Sequence, residues 1–131
     1  MRAVIQRVSQ ASCTVEGTIT GQIEAGFLVL LGIEDADTTE DAIWLAQKIA
    51  NMRVFSDEQG RMNLSVTDTA GGVLLVSQFT LSADTRKGLR PSFSSAMPPI
   101  EAESLYDFTL EALTERHQNV AAGQFGADMQ V

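Results

Sequence analysis

The run Val73-Leu74-Leu75-Val76 constrains the fold of this chain most, because consecutive aliphatic residues are typical of a strand buried on both faces. The glycine pair Gly71-Gly72 marks a turn before the run. The segment Ser77-Gln78-Phe79-Thr80 ends it with three hydrogen-bonding side chains and one aromatic ring. Since proteins place ligand-contacting groups at the rigid ends of such strands, the sequence predicts a binding pocket there.

A basic loop follows this polar strand end. Residues Asp84 to Phe93 contain one anion and three cations, which are Arg86, Lys87 and Arg90. The two segments together predict a pocket for an uncharged group beside a site for phosphate. The whole chain carries a net charge of -8, which argues against a general nucleic-acid binder, and we expect no DNA partner. The charge does not exclude an RNA, one end of which such a loop could hold while the acidic remainder repels the rest.

Composition predicts a single domain over residues 1–131. The chain is 44% hydrophobic and 20% charged, as in ordinary globular proteins. Its longest uncharged apolar run, Ala25 to Ile33, is too short to span a bilayer. The lone cysteine, Cys13, cannot form an internal disulfide, which is typical of proteins in a reducing compartment. We therefore expect a cytoplasmic protein without a membrane partner.

Hydrophobic periodicity predicts a mixed α/β fold, in which a β-rich, barrel-like sheet carries two main helices. About seven strands are expected. Phe27 to Ile33 is predicted to be a buried central strand, and Val73 to Phe79 is predicted to be another strand. Cys13 should be a small buried apolar residue on an early strand.

Both predicted helices have recognisable starts. The first should begin at a capping box and end near Met52. Two boxes fit, pairing Asp37 with Glu40 or Thr38 with Asp41. The second helix should begin at Pro98-Pro99 and end near Gln118. Five residues give it a broad apolar face: Leu105, Phe108, Leu110, Ala112 and Leu113.

The last residues, Gly123 to Val131, are predicted to form a half-buried strand. Phe125, Ala127, Met129 and Val131 alternate there with polar residues. Core packing is the default role for Phe125 and Met129, which share one face of the strand. The sequence stops inside this strand without a turn or a polar tail, so we expect the natural chain to continue past Val131.

Nucleophilic and metal catalysis find little support in the sequence. Ser77 and Thr80 carry hydroxyl groups, but activating a hydroxyl usually needs a neighbouring base. The single histidine, His117, falls near the end of the second helix and is expected on the surface. One histidine and one distant cysteine do not make a typical zinc site, so no metal site is expected.

Catalysis by positioning remains open. An activated ester needs a pocket that excludes misfit substrates and backbone N–H donors for the developing oxyanion. The N–H groups of Phe79 and Thr80 lie where the predicted strand opens into a loop, so they are candidates for this role. In the simpler interpretation, Ser77 and Thr80 cap the strand while Phe79 packs in the core.

Five strings in one register resemble D-aminoacyl-tRNA deacylase over the whole chain. They are Ile5-Gln6-Arg7-Val8, Phe55-Ser56-Asp57 with Met62-Asn63-Leu64, Ser77-Gln78-Phe79-Thr80-Leu81, Arg90-Pro91-Ser92-Phe93, and Ala127-Asp128-Met129-Gln130-Val131. The resemblance implies hydrolysis of the ester that joins a D-amino acid to tRNA, or glycine mischarged on alanine tRNA. It also implies a homodimer with active sites at the subunit boundary, and a reaction assisted by a hydroxyl of the RNA without metal or organic cofactor.

The resemblance also implies roles for individual residues. Catalysis would use the backbone N–H groups of Phe79 and Thr80. The substrate-binding residues would be Arg7, Ser77, Gln78, Phe79, Thr80, Phe125 and Met129, with Ser77 to Thr80 shaping the pocket and binding the terminal adenosine. The acceptor end of the tRNA would be held through its phosphates by Arg86, Lys87 and Arg90.

The sequence departs from the family pattern at its end. The family continues with a closing strand and a loop bearing a Gly-Pro step with a cis bond, which excludes L-amino acids. Neither Arg90-Pro91 nor Pro98-Pro99 supplies that step, so no residue here is assigned to chiral selection. Two other functions stay open, which are a non-catalytic RNA-binding module on the same fold and a hydrolase or binding protein for small molecules.

Overall fold

The computed structural model describes all residues from Met1 to Val131 and contains nine strands and two α-helices. The strands are β1 (Arg2–Val8), β2 (Ala11–Val15), β3 (Thr18–Ile23), β4 (Gly26–Gly32), β5 (Phe55–Ser56), β6 (Met62–Leu64), β7 (Gly72–Ser77), β8 (Val120–Ala122) and β9 (Met129–Gln130). The helices are α1 (Thr39–Asn51) and α2 (Pro99–Arg116), and a short 3-10 turn spans Phe79–Ser82. The mixed α/β class with two main helices is confirmed.

Three sheets organise these strands. The largest has the order β1-β4-β7-β8, in which β1 is antiparallel to β4 while β4, β7 and β8 run parallel. A second sheet has the order β3-β2-β9, and β5 pairs with β6. Parallel neighbours need a crossover connection, which α1 supplies between β4 and β7, and α2 supplies between β7 and β8.

The core lies between the large sheet and the two helices. Side chains alternate along β4, so Phe27, Val29 and Leu31 belong to the main core cluster with α1 and α2. Leu28 and Leu30 point to the other face, where they flank a smaller cluster that contains Cys13. Cys13 is fully buried, as predicted.

Helix α1 begins at the second of the two predicted capping boxes. The Asp41 carboxylate accepts a hydrogen bond from the Thr38 N–H at 2.8 Å. Asp37 has another role, because its carboxylate accepts the Glu34 N–H at 2.7 Å and pairs with the amino terminus. The buried face of the helix includes the four residues expected from the sequence, namely Ala42, Leu45, Ala46 and Ile49.

Helix α2 begins at Pro99 and ends at Arg116, close to its predicted bounds. The predicted apolar face packs on the core, where Phe108 and Leu110 are half-buried at its margin. Tyr106 and Thr109 are also buried, and each hydroxyl is satisfied: Tyr106 donates to the Leu75 carbonyl at 2.8 Å, and Thr109 donates to the Leu105 carbonyl at 2.7 Å. Buried hydroxyls that find such partners are tolerated in a core. Neither α-helix is long and apolar enough to cross a membrane.

The predicted strand Gly123 to Val131 is wrong over its first part. Residues 123–128 form a loop that turns at Gly126, where φ is 74°, and strand structure returns only at Met129–Gln130. The alternation of exposed and half-buried residues nevertheless holds from Gln124 to Gln130. The alternating pattern therefore identified the side-chain directions correctly without identifying the backbone conformation.

Candidate active site at the C-terminal end of β7

A cavity of about 600 Å³ lies at the C-terminal end of β7. The end of β7, the 3-10 turn, residues 93–99, the start of α2 and residues 125–131 contribute to its wall. Five of the predicted substrate-binding residues line it together: Ser77, Gln78, Phe79, Phe125 and Met129. Such a concave, mostly apolar site beside the carboxyl end of a parallel strand is typical of ligand pockets.

The predicted strand Val73 to Phe79 is wrong at its end, because β7 stops at Ser77 and a 3-10 turn begins at Phe79. This turn is closed by the Leu81 N–H, which donates to the Gln78 carbonyl at 3.2 Å, and by the Ala83 N–H, which donates to the Thr80 carbonyl at 3.1 Å. The first N–H groups of a helical turn have no partner within it. The N–H groups of Phe79 and Thr80 are therefore outside the hydrogen bonding of the turn itself.

The side chains of Gln78 and Thr80 contact each other. The Gln78 amide nitrogen donates to the Thr80 hydroxyl oxygen, and the Gln78 backbone N–H donates to the Leu31 carbonyl at 2.7 Å. The second bond extends the β4–β7 pairing by one residue and anchors the start of the turn. Unlike Gln78, Thr80 does not belong to the cavity wall, and its hydroxyl contacts the cavity only through Gln78.

Phe79 is an exposed aromatic residue, with 58% of its surface accessible. Its ring meets the ring of Phe93 edge-on, with the centroids 5.3 Å apart and an interplanar angle of 69°. The alternative in which Phe79 packs in the core is therefore wrong. A ring left open at the rim of a cavity is available to stack against a planar ligand group.

Phe125 and Met129 form the opposite wall. Behind Phe125 lies the buried ring of Tyr106, at a centroid separation of 5.8 Å. The Met129 sulfur accepts the Gln124 N–H at 3.3 Å and so closes the loop that carries Phe125. Both residues are half-buried and line the cavity, so the prediction that they pack in the core is only partly correct.

Other lining residues were missed by the sequence reasoning. They include Phe93, Met97, Ala102 and Asp128. Asp128 is the one lining side chain that titrates, and no lysine, arginine or histidine lines the cavity. Asp128 lies within one of the five family strings. Its charge did not indicate a place in the pocket, because isolated carboxylates are usually solvated.

Arg7 lies apart from the other predicted substrate-binding residues. It is exposed on β1, where its guanidinium donates to the Val54 carbonyl at 2.7 Å, and it does not line the cavity. Within one chain, therefore, Arg7 is not brought to the pocket by the fold. Its assignment to substrate binding rests on the resemblance alone.

The basic loop is held by its own backbone and by one ion pair. Asp84 and Ser92 form an isolated bridge, with N–H···O distances of 2.7 and 2.9 Å. The Arg86 side chain donates to both oxygens of Asp84, which lowers the pKa of that carboxyl and raises the pKa of the guanidinium. Lys87 and Arg90 form no ion pair, so they are the two cations of the loop free to meet a phosphate.

His117 is buried, with only 6% of its surface accessible, so its predicted position on the surface is wrong. Its Nε2 lies 2.6 Å from the Gly71 carbonyl oxygen, and its Nδ1 lies 3.4 Å from the Thr67 hydroxyl. Gly71 immediately precedes β7, whereas the cavity lies at the other end of that strand. The single histidine is thus remote from Ser77, and no Ser-His-Asp triad forms.

The turn around Asp57 is structural. The Asp57 carboxylate accepts the Arg61 N–H at 3.0 Å and the Gln59 N–H at 2.9 Å, which lowers its pKa. The turn closes at Gly60, where φ is 77°. No group of three or more His, Cys, Asp or Glu side chains anywhere in the structure is arranged to hold a metal ion.

Comparisons with known proteins match the whole chain to curated relatives. A D-aminoacyl-tRNA deacylase of Teredinibacter turnerae is 56% identical over 131 residues, which is 100% of this chain and 90% of the relative. A D-aminoacyl-tRNA deacylase of Pseudomonas putida strain GB-1 is 54% identical with the same coverage. In both alignments, which cover the whole of this chain, more than half of the residues are identical.

Two solved structures share the fold. The c-Myc DNA Unwinding Element Binding Protein has a TM-score of 0.94 and 44% identity, over 99% of this chain and 89% of that one. A probable eukaryotic D-amino acid tRNA deacylase has a TM-score of 0.81 and 14% identity, over 98% and 91%, which shows the fold alone. The profile of the family described as D-Tyr-tRNA(Tyr) deacylase matches residues 4–131, and this chain belongs to that family.

Proposed function

We propose that this member of the deacylase family hydrolyses the ester between a D-amino acid, or glycine mischarged on alanine tRNA, and the tRNA, and that it does so by positioning the substrate. The observation that carries the proposal is a cavity without a basic side chain, beside a 3-10 turn whose first two N–H groups, those of Phe79 and Thr80, lie outside the hydrogen bonding of the turn. A site of this kind binds and stabilises a reacting ester but offers no protein base. The hydroxyl next to the ester on the terminal ribose would then supply the missing assistance.

The charge of the cavity suits an aminoacyl ester. In such an ester the carboxyl group is neutralised by its bond to the ribose, whereas the amino group carries a positive charge. The single carboxylate, Asp128, and the lack of lining cations favour that charge distribution over a free carboxylate. The same distribution favours release of the product, because hydrolysis creates a carboxylate with no cation to bind it.

In the proposed reaction, water attacks the ester carbonyl carbon and the neighbouring ribose hydroxyl orients it. The negative charge that develops on the carbonyl oxygen is stabilised by the N–H groups of Phe79 and Thr80. The bond from the carbonyl carbon to the ribose oxygen then breaks, and that oxygen takes up a proton. The products are a D-amino acid and tRNA with free terminal hydroxyls, and the reaction requires no metal or organic cofactor.

Ser77, Gln78 and the exposed ring of Phe79 are proposed to bind the terminal adenosine, since a base stacks readily on an accessible aromatic face. Lys87 and Arg90, with a lesser part for Arg86, are proposed to meet the phosphates behind it. The strongly acidic remainder of the chain repels the rest of the nucleic acid, so we expect contact with the acceptor end and none with DNA. We expect the reaction to occur in the cytoplasm, where tRNA is charged and used.

The functional unit is proposed to be a homodimer joined through the open face of the large sheet. Val4 is 47% exposed on β1, where it pairs in register with Leu30 of β4, and Leu28 lies on the same face. An apolar sheet face left partly uncovered is a natural surface for a second copy, because burying it in a two-fold contact uses the same residues twice.

Hydrolysis of D-Tyr-tRNA should be compared with hydrolysis of a simple D-tyrosine ester. An RNA-binding module releases tyrosine from neither, and a small-molecule hydrolase does not need the tRNA. Thr80→Ala should leave deacylation within about tenfold of the unmodified chain, because no base makes this hydroxyl a nucleophile. A substrate whose terminal ribose lacks the 2′-hydroxyl should be deacylated about 100-fold more slowly, or slower still. The reverse ranking would assign the chemistry to the Thr80 side chain.

Sedimentation at micromolar protein should give about twice the chain mass of 14.1 kDa. Val4→Glu places a charge on the proposed contact face, so it should shift the protein towards a single chain. Ile19→Glu is the matched control, since Ile19 is also an exposed β residue, at 55%, on a different sheet. A fully active single chain would contradict the dimer.

A further inference from the structure

The 3-10 turn is fastened at both ends, although its own hydrogen bonds are few. Its start is held by the Gln78 N–H on the Leu31 carbonyl. Its last two carbonyls would otherwise lack donors, as at any helical C-terminus. The Arg2 guanidinium donates to the Leu81 carbonyl at 3.3 Å, and the Ser95 hydroxyl donates to the Ser82 carbonyl at 3.1 Å.

The Arg2 guanidinium also forms an ion pair. Its Nε lies 3.0 Å from an oxygen of Glu34, two residues after β4 ends at Gly32. Arg2 is largely exposed, and an exposed ion pair contributes little to stability. Its effect is therefore geometric, because it ties the end of the turn to both β1 and the exit of β4.

Gly32 sets how closely the turn approaches the sheet. A Cβ at this position would lie 3.0 Å from Leu81 Cβ and 3.1 Å from the Gln78 carbonyl oxygen, closer than carbon atoms normally pack. The backbone of Gly32 does not need glycine for its conformation, since its φ is outside the left-handed region. The missing side chain is thus required by the turn and not by the strand.

We propose that Gly32, Arg2 and Ser95 are positioning residues that hold the N–H groups of Phe79 and Thr80 at the reacting carbonyl. Gly32 fixes the distance of the turn from β4, while Arg2 and Ser95 fix its far end. This inference rests on the proposed function, in which those two N–H groups stabilise the oxyanion. Such stabilisation depends steeply on donor position, so a shift of a few tenths of an ångström lowers the rate while the cavity still binds substrate.

The first test compares Gly32→Ala with Gly71→Ala on D-Tyr-tRNA. Gly71 is equally crowded, since a Cβ there would lie 2.9 Å from the Ala25 carbonyl oxygen, but it lies at the other end of β7. Both variants should lower the melting temperature. Only Gly32→Ala should lower kcat, by about tenfold or more, with KM changed less than about threefold. An equal kcat for the two folded variants would overturn the role of Gly32.

The second test does not depend on either glycine variant folding. Arg2→Met and Ser95→Ala should each lower kcat about threefold, and the double variant should lose more than tenfold with KM nearly constant. Arg53→Met is the control, because Arg53 also donates from the surface to a backbone carbonyl, that of Asn63 at 2.8 Å. Arg2→Lys keeps a donor and should restore part of the rate. Unchanged kcat in the double variant would overturn the proposal, whereas a wild-type chain without activity would instead defeat the proposed function.

Discussion

The two ends of β7 both carry polar groups beside a fully buried strand, but they differ in whether those groups are satisfied. At the start, the Gly71 carbonyl is met by the His117 ring at 2.6 Å, and the histidine is buried. At the end, the N–H groups of Phe79 and Thr80 lie outside the bonding of their turn, next to a cavity. The difference teaches that reactive residue types do not mark the site here. We propose that the two N–H groups outside the bonding of the 3-10 turn mark it instead.

The largest expected effect is a loss of stability at the start of β7. His117→Ala leaves the partly buried Gly71 carbonyl without its donor and opens a void, so the free energy of unfolding should fall by about 3 kcal/mol. Urea unfolding measures this change. The kcat of the folded variant on D-Tyr-tRNA should equal that of the unmodified chain, because the histidine is remote from the cavity.

Gln118→Ala is the control for this substitution, since the neighbouring Gln118 is exposed. It should change the free energy of unfolding by less than about 0.5 kcal/mol. A His117→Ala variant that is stable but inactive would reverse the comparison and make the start of β7 part of the site.

The next effect is a loss of activity at the end of β7. Phe79→Ala removes the exposed ring on which a base would stack, so kcat/KM should fall about 10- to 100-fold while the melting temperature hardly changes. Trp44→Ala is the matched control, because Trp44 is 60% exposed on α1, away from the cavity. Equal activities of the two variants would show that the Phe79 ring does not contribute to substrate binding.

A smaller effect is expected from the loop that follows the open end. Lys87→Glu and Arg90→Glu should each lower the logarithmic salt slope of tRNA binding by about one unit, because each removes one phosphate contact. Arg86→Glu should have less effect, since Arg86 already pairs with Asp84. Lys48→Glu on α1 is the control. Slopes that match the control would show that these charges are only solvated.

The smallest effect concerns the middle of β7, where the Tyr106 hydroxyl donates to the Leu75 carbonyl. Burial raises the pKa of this phenol above its usual value of 10.0. A group whose pKa is raised by folding contributes stability that is complete below the unfolded value and is lost as the pH rises above it. Unfolding measured between pH 8 and about 11 should therefore show a decline above pH 10 that Tyr106→Phe reduces. An unchanged decline in the variant would assign it to other groups.

Much of the fold was predictable because it follows local rules. The start of α1 was predicted from two candidate capping boxes, of which Thr38 with Asp41 forms, and β7 was predicted from its aliphatic run. The position of the pocket followed from the same run, since polar residues end it. These features depend on residues within a few positions of one another, so one sequence is sufficient to find them.

Other features depend on contacts between distant parts of the chain. His117 is buried because it meets Gly71, 46 positions away, and no local pattern encodes that bond. The 3-10 turn at Phe79 packs on Gly32, which the sequence presents as an ordinary strand residue. Arg7 contacts Val54 in the folded chain, and its role in substrate binding stays a prediction from the resemblance.

The parallel pairing of β4 with β7 also determines when the chain becomes competent during its synthesis. Parallel strands join only after the intervening helix has crossed over, so their contact closes a long loop. The cavity then needs Phe125 and Met129, which are added long after β7. Proteins dominated by such distant contacts fold slowly. A ribosome-bound chain that has reached only α2 therefore lacks part of the cavity wall, and we expect deacylation only after residues 125–131 have docked.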